Sequence, residues 1–493
     1  MMDDVRTAFG NERFRMIFAT AIVLMVTVVL GLACGFLMKS EYWTTAITVV
    51  GVGLVILVCL INPLDGLLLW MMLAPFSRFI YLDIRLPGGI PDLSLSRLTI
   101  AFLLITLSAQ WAVGRRHLKP FLRTDYFMGL FILGVLPAIF ISWKPLDLAG
   151  RMFFDHFLTP MAAYFIVKNL VTTERDMQRV VNVFMIIGVY LALLVFHEVV
   201  TGEPLFWTPG RATTYSRSLQ KLVSLLGNPL FLATGMGMAW PFVVHRFLKE
   251  RLAPIKALYL ILGGTLALCI YLCYNRGAYL GLAMGLMVMM VLSSNFRRLF
   301  IPLLLVLGIL VVIYWGEIAL SPVVRERITN VRSVDFRALV WQIGLKMFAD
   351  SPIVGVGYEN FDAYFTRYHY WPPESPVPPS PHNTYLLILA TTGLVGFVPW
   401  IFVFLSLLYA LFGIWLRARR DPHNDVDFLV AGMAALVCFL VAAATADIIY
   451  DTLTNLMFYT LAGAMLGYWS WPHAQQQPAA VEPSLSAQLK AAE

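Results

Sequence analysis

LFIPLLLVLGILVVIYWGE, residues 299–317, decides the fold class. Its one charge is its last residue, and it follows directly on Arg297-Arg298. A helix needs roughly 20 apolar residues to cross a bilayer, and runs of this kind recur from Met16 almost to Trp471. The whole chain of 493 residues is 59% hydrophobic and 13% charged, with a mean hydropathy of +0.75. No soluble globular domain needs that much apolar surface. A membrane β-barrel would alternate in segments of about 10 residues, and no such alternation is present. The composition therefore predicts an all-α polytopic membrane protein of 12–14 transmembrane helices.

Spans fall near 16–38, 44–61, 64–80, 97–113, 126–142, 152–168, 180–200, 225–244, 255–273, 278–292, 299–317, 394–416, 428–446 and 455–470. The third is interrupted by Pro63, Pro75 and Arg78, and could pair with the second as a re-entrant hairpin. Five short loops are basic: Arg115–Arg123, Lys168–Arg179, Arg246–Arg251, Arg297-Arg298 and Arg417–Arg420. Counting spans puts all five on one side, which the positive-inside trend makes cytoplasmic. Met1 and Glu493 then lie inside. Met1–Arg15 is too polar for a cleaved signal peptide, so the first span reads as a retained anchor. The polar, low-complexity tail from Pro472 reads as disordered.

The loops at 201–224 and 318–393, and the short Tyr274-Asn275-Arg276-Gly277 connection, face the opposite side. Basic residues there run against the charge trend, and an anionic ligand would explain them. Arg276 lies between two apolar runs. It is either an interfacial arginine that snorkels or a phosphate clamp, with Gly277 allowing close backbone approach. Arg337 sits on a stretch, residues 335–348, whose spacing predicts an amphipathic helix with Phe336, Val340, Ile343 and Met347 on one face. Arg337 and Trp341 share the neighbouring stripe, and Asp350-Ser351-Pro352 ends the helix. That helix could equally rest on the membrane with an ordinary arginine.

His382 follows Pro376, Pro378, Pro379 and Pro381 and opens an apolar run with Asn383 and Tyr385. A lone histidine is usually structural, but one at the mouth of the membrane domain can accept a proton near neutral pH. Tyr364, Tyr368, His369, Tyr370 and Trp371 suit an interfacial aromatic belt better than sugar stacking. In the other outer loop, Arg211 and Arg217 precede Gly227-Asn228-Pro229. Gly355-Val356-Gly357 lacks the dinucleotide-binding spacing and reads as a turn. No metal-ligand, Walker or HExxH pattern is present, so no metal site and no cofactor are expected. Cys34, Cys59, Cys269, Cys273 and Cys438 lie in or beside apolar runs and read as small core residues.

The order Gly227-Asn228-Pro229, Asn275-Arg276-Gly277, Arg337 with Trp341, Asp350-Ser351-Pro352 with Gly355-Val356-Gly357 and Phe361, then His382-Asn383-Thr384-Tyr385 with Gly393 resembles the O-antigen ligase and polymerase superfamily. The resemblance covers about residues 200–410. It implies a GT-C-like fold, with a long extracytoplasmic loop containing short helices. It also implies a metal-independent glycosyltransferase of the bacterial inner membrane, with both termini cytoplasmic. Such enzymes pass an undecaprenyl-diphosphate-linked glycan to a sugar acceptor on the periplasmic face, either lipid A core or a growing polysaccharide.

On that resemblance, Arg276 and Arg337 hold the diphosphate and His382 lies at the reacting centre. Arg211, Arg217, Asn228, Asn275, Trp341, Asn383 and Tyr385 are the expected substrate-binding residues. Thr391 stands where many relatives carry an acid. Partners are then the glycolipid donor, the acceptor and membrane lipids, with no nucleic acid. The implied organisation is a cytoplasmic N-terminus (1–15), an N-terminal bundle (16–200), a central ligase-like region (201–317), a periplasmic catalytic loop (318–393), C-terminal spans (394–470) and a cytoplasmic tail (471–493). The competing functions are a lipid-linked glycan flippase and a structural part of a polysaccharide export complex. A flippase needs polar residues through the bilayer centre, and the spans at 255–273, 278–292 and 299–317 have essentially none.

Overall fold

The structure is a computed structural model, and it describes residues 43–78, 95–114, 117–206, 222, 224–320, 332–370 and 379–470. The expected first span, Arg211, Arg217, Trp371 and the tail lie outside the described residues. Among the described residues all regular structure is helical, in the order α1 (Trp43–Ile61), α2 (Pro63–Leu73), α3 (Leu95–Ala112), α4 (Arg123–Phe140), α5 (Leu146–Phe153), α6 (Thr159–Leu170), α7 (Glu174–Thr201), α8 (Pro229–Lys249), α9 (Ala253–Leu272), α10 (Arg276–Leu292), α11 (Ser294–Ile313), α12 (Trp315–Leu320), α13 (Arg332–Asp350), α14 (Phe361–Tyr368), α15 (Thr384–Ala418), α16 (Val426–Ala443) and α17 (Thr452–Trp469). Helices α4, α7, α9, α11, α15 and α16 are each long and apolar enough to cross a membrane. The chain is an all-α polytopic membrane protein.

Two helices form the centre. Helix α8 is buried almost continuously from Leu230 to His245, and α17 from Leu453 to Gly467. A helix that is apolar all round belongs inside a bundle. Helix α8 packs on α7, α9 and α16, and α17 packs on α6. Helices α9 and α11 keep most of their apolar surface outward, as lipid-facing helices do. The weak third span is α2, only 11 residues long. A 3₁₀ turn at Ala74–Arg78 continues it, and α2 packs against α1.

Small residues set one register that matters for the site. Helix α10 presents Gly281 and Gly285 to α16, where an added Cβ would lie 2.7 Å from the Cys438 carbonyl oxygen and 3.0 Å from that of Ala434. Without water to drive association, membrane helices pack through such close backbone approach. One turn further up, Gly277 abuts Thr445. This fixes the start of α10, with Arg276, beside the turn that leaves α16.

The five basic loops come together at one end of the bundle. Lys119 N donates to Asn169 Oδ1 (2.8 Å), and Lys119 Nζ donates to the Val171 and Gly467 carbonyls (2.7 Å each). Arg246 bonds Gln178, Lys249 pairs with Asp425 at 3.3 Å, and Asn295 donates to Asp427 at 2.6 Å. Inside this end Lys168 pairs with Asp125, both nearly sealed from solvent. Burying a charge is costly unless it is paired, so the two residues enter the core together.

Candidate active site

The opposite end of the bundle holds the site, built from four connections. Helix α10 begins at Asn275, whose Oδ1 accepts from Gly277 N (2.9 Å) and Ala278 N (3.2 Å). Asn383 caps α15 in the same way, accepting from Leu386 N (3.1 Å), and Asn228 caps α8 through Leu230 N (2.9 Å). A side-chain oxygen at this position satisfies backbone donors the helix leaves unpaired. The three asparagines expected to bind substrate thus carry helix caps, and each aims the start of a helix.

Helix α15 starts ten residues before the expected boundary at 394. It runs from Thr384 across a break at Gly393, where φ is 59° and ψ −164°. The Ser351–Gly357 turn inserts into that break. Val356 N donates to Ala390 O (3.0 Å), Gly357 N to Thr391 O (3.2 Å), Leu394 N to Pro352 O (2.9 Å) and Val395 N to Ile353 O (3.1 Å). A Cβ on Gly355 would strike the backbone of Thr391–Gly393, so the glycines permit main chain to meet main chain. The glycine-rich turn is therefore a structural lock, and Thr391 is buried within it, its hydroxyl bonded to Leu387 O.

Helix α13 follows the predicted pattern. Val340, Ile343 and Met347 are buried, Phe336 packs partly on the core, and Arg337 is half-buried on the adjacent stripe. Trp341 Nε1 donates to Pro381 O at 2.9 Å, tying α13 to the residue before His382. Tyr385 turns away from this cluster, its hydroxyl donating to Leu440 O at 2.8 Å.

His382 and Asp447 form the centre. The turn between α16 and α17 is stitched to the start of α15: Thr384 N and Oγ1 donate to Ala446 O (3.2 and 2.8 Å), and Ile448 N donates to Thr384 Oγ1 (2.9 Å). Asp447, 8% exposed, accepts from Asn383 N at 3.1 Å and from the Ser380 hydroxyl. His382 Nδ1 lies 4.0 Å from Asp447 Oδ2, with the imidazole 44% exposed. Burial raises the Asp447 pKa, and the Ser380 and His382 contacts pull it back. Burial lowers the Arg337 pKa, the like charge of Arg276 lowers it further, and Asp447 opposes both. The structure thus brings Arg276, Arg337, His382 and Asp447 into one electrostatic cluster. Two cations beside an exposed imidazole can attract a multiply charged anion.

Backbone strain gathers at this end. The non-glycine residues with left-handed φ among those described are Ser224 (32°), Tyr274 (47°), Glu359 (61°) and His382 (48°). Each costs on the order of 1–2 kcal/mol, and such strain collects at functional sites. Tyr274 precedes Asn275-Arg276, so two of these residues set the path of the expected catalytic groups.

Asp447 was not anticipated from sequence. Its signal was there: Ala446-Asp447 sits between two apolar runs, in a connection that the span count puts on the same side as His382.

Fold and site together define a multi-pass membrane protein that gathers Arg276, Arg337, His382 and Asp447 at the end opposite its basic loops. A family model described as O-Antigen ligase matches residues 260–401. It supports assignment to the O-antigen ligase and polymerase superfamily, and so a bacterial membrane enzyme of polysaccharide assembly. The match includes Arg276, Arg337 and His382 and stops before Asp447. No curated protein matches the chain.

Proposed function

We propose that the protein is an inner-membrane glycosyltransferase that moves a glycan from undecaprenyl diphosphate to a sugar hydroxyl on the periplasmic face. The observation that carries this reading is the clustering of Arg276 and Arg337 with the His382–Asp447 pair at the end away from the basic loops. The acceptor oxygen forms a bond to the donor's anomeric carbon. The bond from that carbon to the diphosphate oxygen breaks, and its electron pair leaves with the lipid diphosphate. The acceptor's proton passes to the His382 imidazole, and the nearby Asp447 carboxylate stabilises the imidazolium that forms. Arg276 and Arg337 stabilise the negative charge growing on the leaving group, through forked contacts to phosphate oxygens. The donor is already activated by its diphosphate, so catalysis requires positioning and charge stabilisation above all.

The acceptor separates two kinds of transferase, and gel analysis of surface glycan from a deletion strain tells them apart. Loss of all glycan on lipid A identifies a ligase. Retention of a single repeat identifies a polymerase. Wild-type surface polysaccharide in the deletion strain refutes the proposal.

A further inference from the structure

A cavity of about 360 Å³ opens against Pro379–Pro381, the segment that leads into His382, within the usual size range of small-molecule sites, about 300–1,000 Å³. It is lined by Lys144 after α4, by Glu359, Phe361 and Asp362 around the start of α14, by Ser380 and by Tyr450. Ser380 belongs to both places: it walls the cavity and donates its hydroxyl to Asp447. Arg276, Arg337, His382 and Asp447 are not among its lining residues, so Ser380 is the link between the cavity and the cluster.

The polar groups of the cavity are few and well held. Glu359 is 9% exposed, accepts from the Tyr450 hydroxyl at 3.1 Å and stands 3.7 Å from His156 Nδ1. A carboxylate offers about four lone-pair positions, more than the tyrosine contacts occupy. Lys144 pairs with Asp362 at 3.1 Å, each about one-third exposed. Beside them the Arg367 guanidinium lies against both Trp143 and Tyr364, 4.4 and 4.3 Å from the ring centroids, and the two rings contact each other at 4.6 Å. A buried carboxylate, an ammonium and flat apolar faces suit a sugar ring, whose hydroxyls both donate and accept and whose C–H faces are apolar. They suit a diphosphate poorly, since the one ammonium, Lys144, is already paired with Asp362.

We propose that this cavity is the acceptor subsite, taking the terminal sugar of the acceptor glycan, with Glu359 receiving hydrogen bonds from its hydroxyls and Lys144 donating to them. The inference rests on the transferase reading. Because Ser380 joins the cavity to Asp447, a sugar seated here presents a hydroxyl toward His382. The diphosphate stays on the arginine side of the same pair.

The test measures acceptor binding without donor. Full-length protein in nanodiscs is titrated, by saturation-transfer NMR, with two probes from the source strain: core oligosaccharide released from lipid A, and the free repeat-unit oligosaccharide. One of the two should bind the wild type. At pH 8, where the carboxylate is ionised, Glu359→Gln should raise its Kd roughly 10- to 150-fold, the effect of losing a charged hydrogen bond. Lys144→Met, at the half-exposed mouth, should raise it in the same direction with no loss of fold. Arg337→Ala should leave it unchanged. The subsite is refuted if neither probe binds the wild type, if both cavity variants bind as the wild type does, or if Arg337→Ala weakens binding as much as Glu359→Gln. Turnover of lipid-diphosphate glycan by the wild type, scored separately, tests the transferase reading. Turnover with wild-type acceptor KM in both cavity variants removes the subsite and leaves the transferase standing.

Discussion

Replacing Arg337 by alanine tests the anion receptor. Arg337 is half-buried beside Arg276, whose like charge depresses its pKa, with Asp447 as the counterweight. In the empty protein the substitution removes a repulsion and an attraction together, so thermal stability should stay near wild type. In the donor complex it removes a charge-assisted hydrogen bond, about 1.5–3 kcal/mol, equivalent to roughly a 10- to 150-fold loss in kcat/KM for the donor. A forked contact puts the loss toward the upper end, and Arg337→Lys should recover only part of it because an ammonium cannot form the fork. The assay is initial transfer rate in proteoliposomes at subsaturating donor, paired with a thermal melt of each variant. Wild-type kcat/KM in Arg337→Ala refutes the receptor. A collapse of thermal stability that accounts for the lost activity refutes it equally.

Glu359 should give the fold a pH signature. Burial raises its pKa from 4.5 to about 7, so between those values the folded state holds a proton that the unfolded state has released. The contribution of Glu359 to stability is therefore fully present below about pH 4.5 and is lost as pH rises through 7, by about 3 kcal/mol in all; Glu359→Gln should remove that component of the difference between melts at pH 5 and 8, and an unchanged difference contradicts the assignment. Gly393→Ala should lower the melting temperature, because left-handed backbone at a non-glycine costs on the order of 1–3 kcal/mol and its Cβ would strike the Ile353 carbonyl; a wild-type melt argues against the lock. In a cysteine-free background, Thr366→Cys should react with a membrane-impermeant thiol reagent from outside and Arg419→Cys should not, and the reverse labelling inverts the proposed sidedness.

Much of the architecture was legible because hydrophobic runs and their basic punctuation are local signals. The buried face of α13 could be read from residue spacing, since Val340, Ile343 and Met347 recur at helical intervals. The clustering of the basic loops followed from counting spans. What escaped the sequence depends on contacts between distant segments. Asp447 becomes a partner of His382 only because the α16–α17 turn is stitched to Thr384. Glu359 is held in place by the hydroxyl of Tyr450, 91 residues away in sequence. The early start of α15 was hidden because a glycine with left-handed φ reads as an end to a helix, whereas here an inserted turn supplies the missing backbone partners. The asparagines at 228, 275 and 383 look like ligand-binding groups in isolation, and their capping role shows only in the hydrogen bonds they make.

The central claim is that this cluster transfers a glycan and does not merely carry one across the membrane. Purified protein, lipid-diphosphate glycan and acceptor, in chelator and without nucleotide, test it directly. The account predicts release of lipid diphosphate matched by glycan on the acceptor, falling about 10²- to 10⁴-fold in His382→Ala with donor binding preserved. Protein-dependent movement of glycolipid across liposomes, unchanged in His382→Ala and without transfer to any acceptor, would contradict it.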